Sequence, residues 1–76
     1  LPRYHVVLLG DKAQELLFIM RTVMELTRYG REEATHRMWQ AHHTGRAVIL
    51  TTHMELAELF AERFAERGLR VDLEPA

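Results

Sequence analysis

Apolar and polar positions follow two different periods along the chain, and each change of period marks an element. Tyr4-His5-Val6-Val7-Leu8-Leu9 is short, β-branched and apolar, which predicts a strand covered on both faces. Gly10 and Asp11 end it. From Gln14 to Thr27 the period becomes helical: Leu16, Met20, Val23 and Met24, with Leu17 beside them, make one apolar stripe. Asp11 followed by Gln14 has the spacing of a helix-start signal. Tyr29-Gly30 interrupts that helix. A second helix is predicted from Arg31 to His43, with Ala34, Met38 and Ala41 on one face and Gly45 just past its end.

Arg46-Ala47-Val48-Ile49-Leu50-Thr51 predicts a second strand. Thr52 and Glu55 have the spacing of a capping box, opening a third helix to about Arg67 with Leu56, Ala57, Phe60, Ala61 and Phe64 inward. Gly68 suits the left-handed position after a helix. Leu69 to Leu73 alternates apolar and polar as a half-buried strand does, and Glu74-Pro75-Ala76 is a tail. The order β-α-α-β-α-β predicts an α+β fold: one small three-stranded sheet with three helices packed on it, forming a single domain over residues 1–76.

Composition narrows the function. At 76 residues the chain supports one domain, and a domain of this size buries only roughly 60–65% of its unfolded surface. The net charge is −1, with acidic and basic residues interleaved, so neither nucleic acid nor an anionic membrane is the expected partner. The longest apolar run is five residues, Leu16 to Met20, against roughly 20 for a bilayer span. Cysteine is absent, which removes disulfides, thiolate metal sites and a cysteine nucleophile, and fits a cytoplasmic location.

Few residues invite chemistry. The Gly10-Asp11-Lys12 turn and His42 bring a carboxylate and an imidazole to the ends of different elements. Both groups accept hydrogen bonds, so together they suit a protonated amine; the plainer reading makes Asp11 a helix cap and His42 a surface residue. His36, His42 and His43 lack the spacing of a metal site, and no metal or other cofactor is expected. Leu8, Leu16, Ile19, Met38 and Ala41 suit either an adaptable apolar pocket or ordinary core. Glu55, Glu58, Glu62, Arg63, Glu66 and Arg67 make the third helix a solvated face or a charged docking face. No nucleophile elbow, phosphate loop or metalloprotease motif is present, so an enzyme is not expected.

Taken together, these segments resemble the ClpS adaptor family. The resemblance is carried by Tyr4 to Asp11, by Arg31 to Ala47 and by Thr51 to Glu58, with Ala34, Met38, Ala41-His42, Gly45 and Ala47 the most telling spacings. It implies an adaptor that binds proteins bearing a bulky hydrophobic N-terminal residue, an N-degron. Such adaptors deliver them to a Clp AAA+ unfoldase of the ClpA type coupled to ClpP. The family's amine grip falls on Asp11 and His42, with Gly10 contributing backbone only where the family has asparagine. Lys12 stands where an acidic residue is usual, and both departures are expected to weaken the grip. The pocket falls on Leu8, Gln14, Leu16, Met38 and Ala41, with Leu69 from the last strand, and Ile19 belongs to the same apolar set. Glu55 and Glu58 match unfoldase-facing positions, while Phe60 replaces a common lysine. A monomer is expected. The alternatives are a diverged paralogue with changed peptide specificity, one that only modulates the unfoldase, or an unrelated self-association domain.

Overall fold

A computed structural model describes every residue from Leu1 to Ala76. The elements run β1 (Arg3–Leu9), α1 (Leu16–Leu26), α2 (Arg31–Thr44), β2 (Arg46–His53), α3 (Met54–Glu66) and β3 (Val71–Pro75). The three strands form one antiparallel sheet in the order β2-β1-β3. No helix is long and apolar enough to cross a membrane.

β1 is central because its sequence allows nothing else. Val6, Val7 and Leu8 are consecutive and almost wholly buried, and successive strand residues point to opposite faces, so both faces must be covered. The edge strand β2 carries a bulge: Leu50 pairs with Val6 and Val48 with Val7, leaving Ile49 as the extra residue. Edge carbonyls need partners, and side chains flanking or within α2 supply them. Arg37 Nη1 donates to the Val48 carbonyl at 2.7 Å, and the Tyr29 hydroxyl donates to that of Ile49. The Arg37 guanidinium also lies 5.3 Å from the Tyr29 ring centre, within cation–π range.

The helices are layered unequally. α2 lies along β2, α3 crosses all three strands, and α1 packs on α2 and α3. One core unites Leu8, Ile19, Met20, Val23, Ala34, Met38, Ala41, Ala47, Ile49, Phe64 and Leu69. Thr22 is the one buried polar residue, and its hydroxyl donates to the Phe18 carbonyl at 2.8 Å.

Several local expectations are corrected. Asp11 does not cap α1: its Oδ1 accepts from the Ala13 N–H at 2.9 Å while the Gln14 N–H donates to the Asp11 carbonyl at 3.0 Å. The same carboxylate that can cap a helix can close an Asx turn, and here the turn wins. α1 therefore starts at Leu16, after Glu15, with no side-chain cap. Leu17 faces solvent, and Ile19 and Thr22 replace it in the buried stripe. The Thr52–Glu55 capping box does not form, because Thr52 is still paired with Tyr4 in β2. His53 is the N-cap of α3 instead, its Nδ1 accepting from the Leu56 N–H at a long 3.4 Å. Leu56 is exposed rather than inward.

Leu69 lies outside β3. α3 ends in a Schellman turn, in which the Leu69 N–H donates to Phe64 at 3.0 Å and the Gly68 N–H to Ala65 at 2.9 Å, with Gly68 at φ 83°. That motif favours an apolar contact between its last residue and the helix's final turn, which places Leu69 in the core with Phe64.

Candidate functional site

The C-terminal end of β1 meets the ends of two helices. Both helices stop at a left-handed glycine, Gly45 after α2 at φ 88° and Gly68 after α3 at φ 83°. Each glycine presents its carbonyl to the loop between β1 and α1. The Gly10 N–H donates to the Gly45 carbonyl at 2.9 Å, and the Gln14 side-chain amide donates to the Gly68 carbonyl at 3.1 Å. The loop is thus tied down at both of its ends.

Gly10 is the residue that permits this approach. A Cβ built on it would lie 2.1 Å from the Ala41 carbonyl oxygen and 3.0 Å from its carbon. Both atoms belong to helix backbone, so a side chain there requires the loop or α2 to move. Gly10 thus abuts Ala41 at this corner, and the residue after each is Asp11 on the loop and His42 on the last turn of α2. Asp11 is exposed, and one of its oxygens already holds the Ala13 N–H. A carboxylate has about four lone-pair sites, so acceptor capacity remains for a cation. His42 is half-buried and its imidazole makes no hydrogen bond within the chain, and Lys12 is exposed in the turn.

Aromatic rings hold the imidazole in place. Trp39 meets His42 edge-on at 5.8 Å between ring centres, and stacks on His43 at 5.1 Å with 15° between planes. His42 and His43 are themselves edge-on at 5.3 Å. Sequence reasoning missed Trp39. Its place three residues before His42 and four before His43 on one helix is the signal that could have found it. No three histidine or acidic side chains converge as metal ligands.

The apolar positions expected to line a pocket do come together. Leu8, Ile19, Met38, Ala41 and Leu69 are members of the one core cluster, each at most 6% exposed, and Leu16 packs half-buried against them. Gln14 is half-buried at their margin, reaching Gly68. They are packed on one another rather than around a void. The surface concavities lie elsewhere, and the one that Leu69 borders, about 380 Å³, opens between α3 and β3 beside Ala61, Ala65 and Asp72. Glu55 and Glu58 are not part of this corner. Both are exposed on the first turns of α3, alongside Leu56 and Leu59.

This geometry has known counterparts. The family model "ATP-dependent Clp protease adaptor protein ClpS" matches residues 1–72. The ATP-dependent Clp protease adapter protein ClpS of Synechococcus sp. (strain CC9902) is 29% identical over 75 residues, spanning 97% of this chain and 72% of that protein. Its counterpart in Synechococcus elongatus (strain ATCC 33912 / PCC 7942 / FACHB-805) is 32% identical over 78 residues, spanning 97% and 79%. The solved structure of Agrobacterium tumefaciens ClpS2 bound to L-phenylalaninamide superposes with a TM-score of 0.90 at 27% identity, covering 99% of this chain and 98% of that one. Fold and matches together define an adaptor to an ATP-dependent protease, built as β-α-α-β-α-β. Within that class, the chain belongs to the ClpS family.

Proposed function

We propose that this chain is an adaptor that binds the free N-terminus of proteins beginning with a bulky hydrophobic residue, and that it hands them to a ClpA-type AAA+ unfoldase working with ClpP. The observation that supports the reading is the close approach of Gly10 to Ala41 at one corner, where Asp11 and His42 are the next residues in sequence and Ala41 is itself a member of the buried apolar cluster. L-phenylalaninamide, the ligand of the Agrobacterium relative, has the two features this corner suits: a free α-amine and a large apolar side chain.

In this reading Asp11 and His42 accept from the α-ammonium, and Gly10 contributes backbone alone. The first side chain enters among Leu8, Gln14, Leu16, Ile19, Met38, Ala41 and Leu69. Burying an aromatic or leucine side chain contributes about 1.5–3 kcal/mol, and a hydrogen bond to a charged group about 1.5–3 kcal/mol. The entropy lost on association offsets much of that sum, which makes micromolar affinity the expectation. Glu55 and Glu58 on α3 face the unfoldase, well away from the peptide, so one small domain holds both partners at once. The reading assigns the chain no reaction, no metal and no cofactor.

Titration calorimetry decides it. Peptides beginning with Phe, Leu, Trp or Tyr are expected to bind with micromolar affinity, and the same peptides acetylated at the N-terminus to bind at least tenfold more weakly, since acetylation removes the charge. Equal binding of free and acetylated peptides would sink the amine grip.

A further inference from the structure

We infer that Gln14 is a specificity-determining residue: its side-chain amide latches the β1–α1 loop to the end of α3, and the latch must open before a large first side chain can enter. This rests on the N-terminus-binding function proposed above and adds a residue role to it.

The loop from Gly10 to Glu15 spans the gap between two glycine carbonyls, and its two attachments differ in kind. At the Gly10 end the bond is backbone to backbone, and Gly10 is braced against the Ala41 carbonyl, so this end cannot shift without disturbing α2. At the Gln14 end the bond runs from a half-buried side chain at the loop's margin to the Gly68 carbonyl. The acceptor is fixed, because the Schellman turn holds Gly68 and Leu69 to the last turn of α3. The donor is free to exchange its partner for water.

Close beyond these two bonded residues lie a member of the apolar cluster, Leu69, and a residue packed against it, Leu16. Leu16 follows the loop and Leu69 follows Gly68, and in this state the cluster is closed. A guest side chain that enters between them must part the loop from the Schellman turn. The Gln14–Gly68 bond is the direct tie across that seam. A peptide that binds only the unlatched form has its apparent affinity lowered by the fraction of molecules unlatched. A neutral hydrogen bond changes such an equilibrium by roughly two- to tenfold. A wider guest needs a wider parting, so the effect grows from leucine to tryptophan.

The experiment compares the wild-type chain with Gln14→Met, which keeps length and flexibility but cannot donate. Stopped-flow binding of Leu- and Trp-starting peptides is expected to give an association rate about two- to tenfold higher in the variant, with the larger gain for Trp. Without peptide, amide exchange at Ala13 and Gln14 is expected to speed up by a similar factor. An unchanged association rate, or an equal gain for Leu and Trp, overturns the latch, as does unchanged exchange. Binding by the wild-type chain that ignores N-terminal acetylation would instead defeat the proposed function, and the peptide-free exchange would still show whether the latch exists.

Discussion

The two ends of the sheet are finished in opposite ways. Where β1 runs out, two helices stop on left-handed glycines, both glycine carbonyls are bonded to the intervening loop, and the apolar residues beneath are buried. Where α3 begins, the cap is one long 3.4 Å bond from His53, and Met54, Leu56 and Leu59 stand 39%, 36% and 41% exposed beside Glu55 and Glu58. The first end fixes positions. The second displays a surface in which apolar and acidic residues alternate. A small ligand that must be read by charge and shape needs the first kind of construction, and a folded partner can be met by the second.

The largest expected effect falls on the fixed end. Asp11→Ala or His42→Ala is expected to weaken binding of a Phe-starting peptide roughly 10- to 100-fold, the worth of one hydrogen bond to a charged group. Glu55→Ala is expected to leave that affinity alone. Calorimetry on the three variants separates the two ends, and an equal loss in all three would erase the distinction.

Next is Gly10→Ala. The added methyl meets helix backbone, not a yielding side chain. Overpacking of this kind costs about 1–3 kcal/mol, or several degrees of melting temperature in a domain this small. Thermal unfolding followed by circular dichroism measures it. A variant as stable as the parent would mean that the loop is not held against α2.

That glycine also marks how far the sequence could be read. Elements whose signals are local came through: Ala34, Met38 and Ala41 share a buried helix face, Gly45 ends that helix left-handed, and Val6 to Leu8 form a central strand. What was lost depends on competition between neighbours or on contacts far along the chain. Asp11 had two local uses, cap and Asx turn, and spacing does not choose between them. Thr52 has the right spacing for a cap, but pairing with Tyr4 keeps it in the strand. Leu69 looked like a strand residue because alternation is visible in sequence, whereas its capture by Phe64 in the Schellman turn depends on where α3 stops. Gly10 showed as a missing asparagine, yet its requirement comes from Ala41, on another element. Leu8, Ile19, Met38, Ala41 and Leu69 lie in one buried cluster, but their closure on one another is a property of packing that no pattern of residue types displays.

A smaller effect is expected at the open end. Reversing charge in Glu55→Lys/Glu58→Lys is expected to slow association with the unfoldase by several-fold at low salt, with the difference shrinking as salt is raised, because exposed charges steer encounter and are screened. Peptide affinity and melting temperature stay near the parent's. Surface-immobilised unfoldase at two ionic strengths reads the change. A slowing that persists at high salt would mean that the two carboxylates are buried on docking, and that the open end is as closely fitted as the other.

The smallest effect tests whether the fixed end depends on its outer supports. Arg67 Nη1 meets Glu25 Oε2 at 2.6 Å, joining α1 to the last residue before Gly68. Distance alone makes the pair look strong, and its position suggests that it could steady the carbonyl to which Gln14 is bonded. Exposure argues otherwise: the two side chains are 41% and 56% exposed, so water competes for both charges and salt screens them. Pairs of this kind contribute about 0–1 kcal/mol. The turn at Gly68 is held by its own two backbone bonds and by Leu69 in the core, neither of which involves a charge. Glu25→Gln is therefore expected to lower stability by about 0.5 kcal/mol or less and to leave peptide association rates unchanged. A double-mutant cycle with Arg67→Gln in urea unfolding gives the coupling. A coupling above about 1 kcal/mol, together with an altered association rate, would show that the end built to hold positions takes part of its rigidity from the surface.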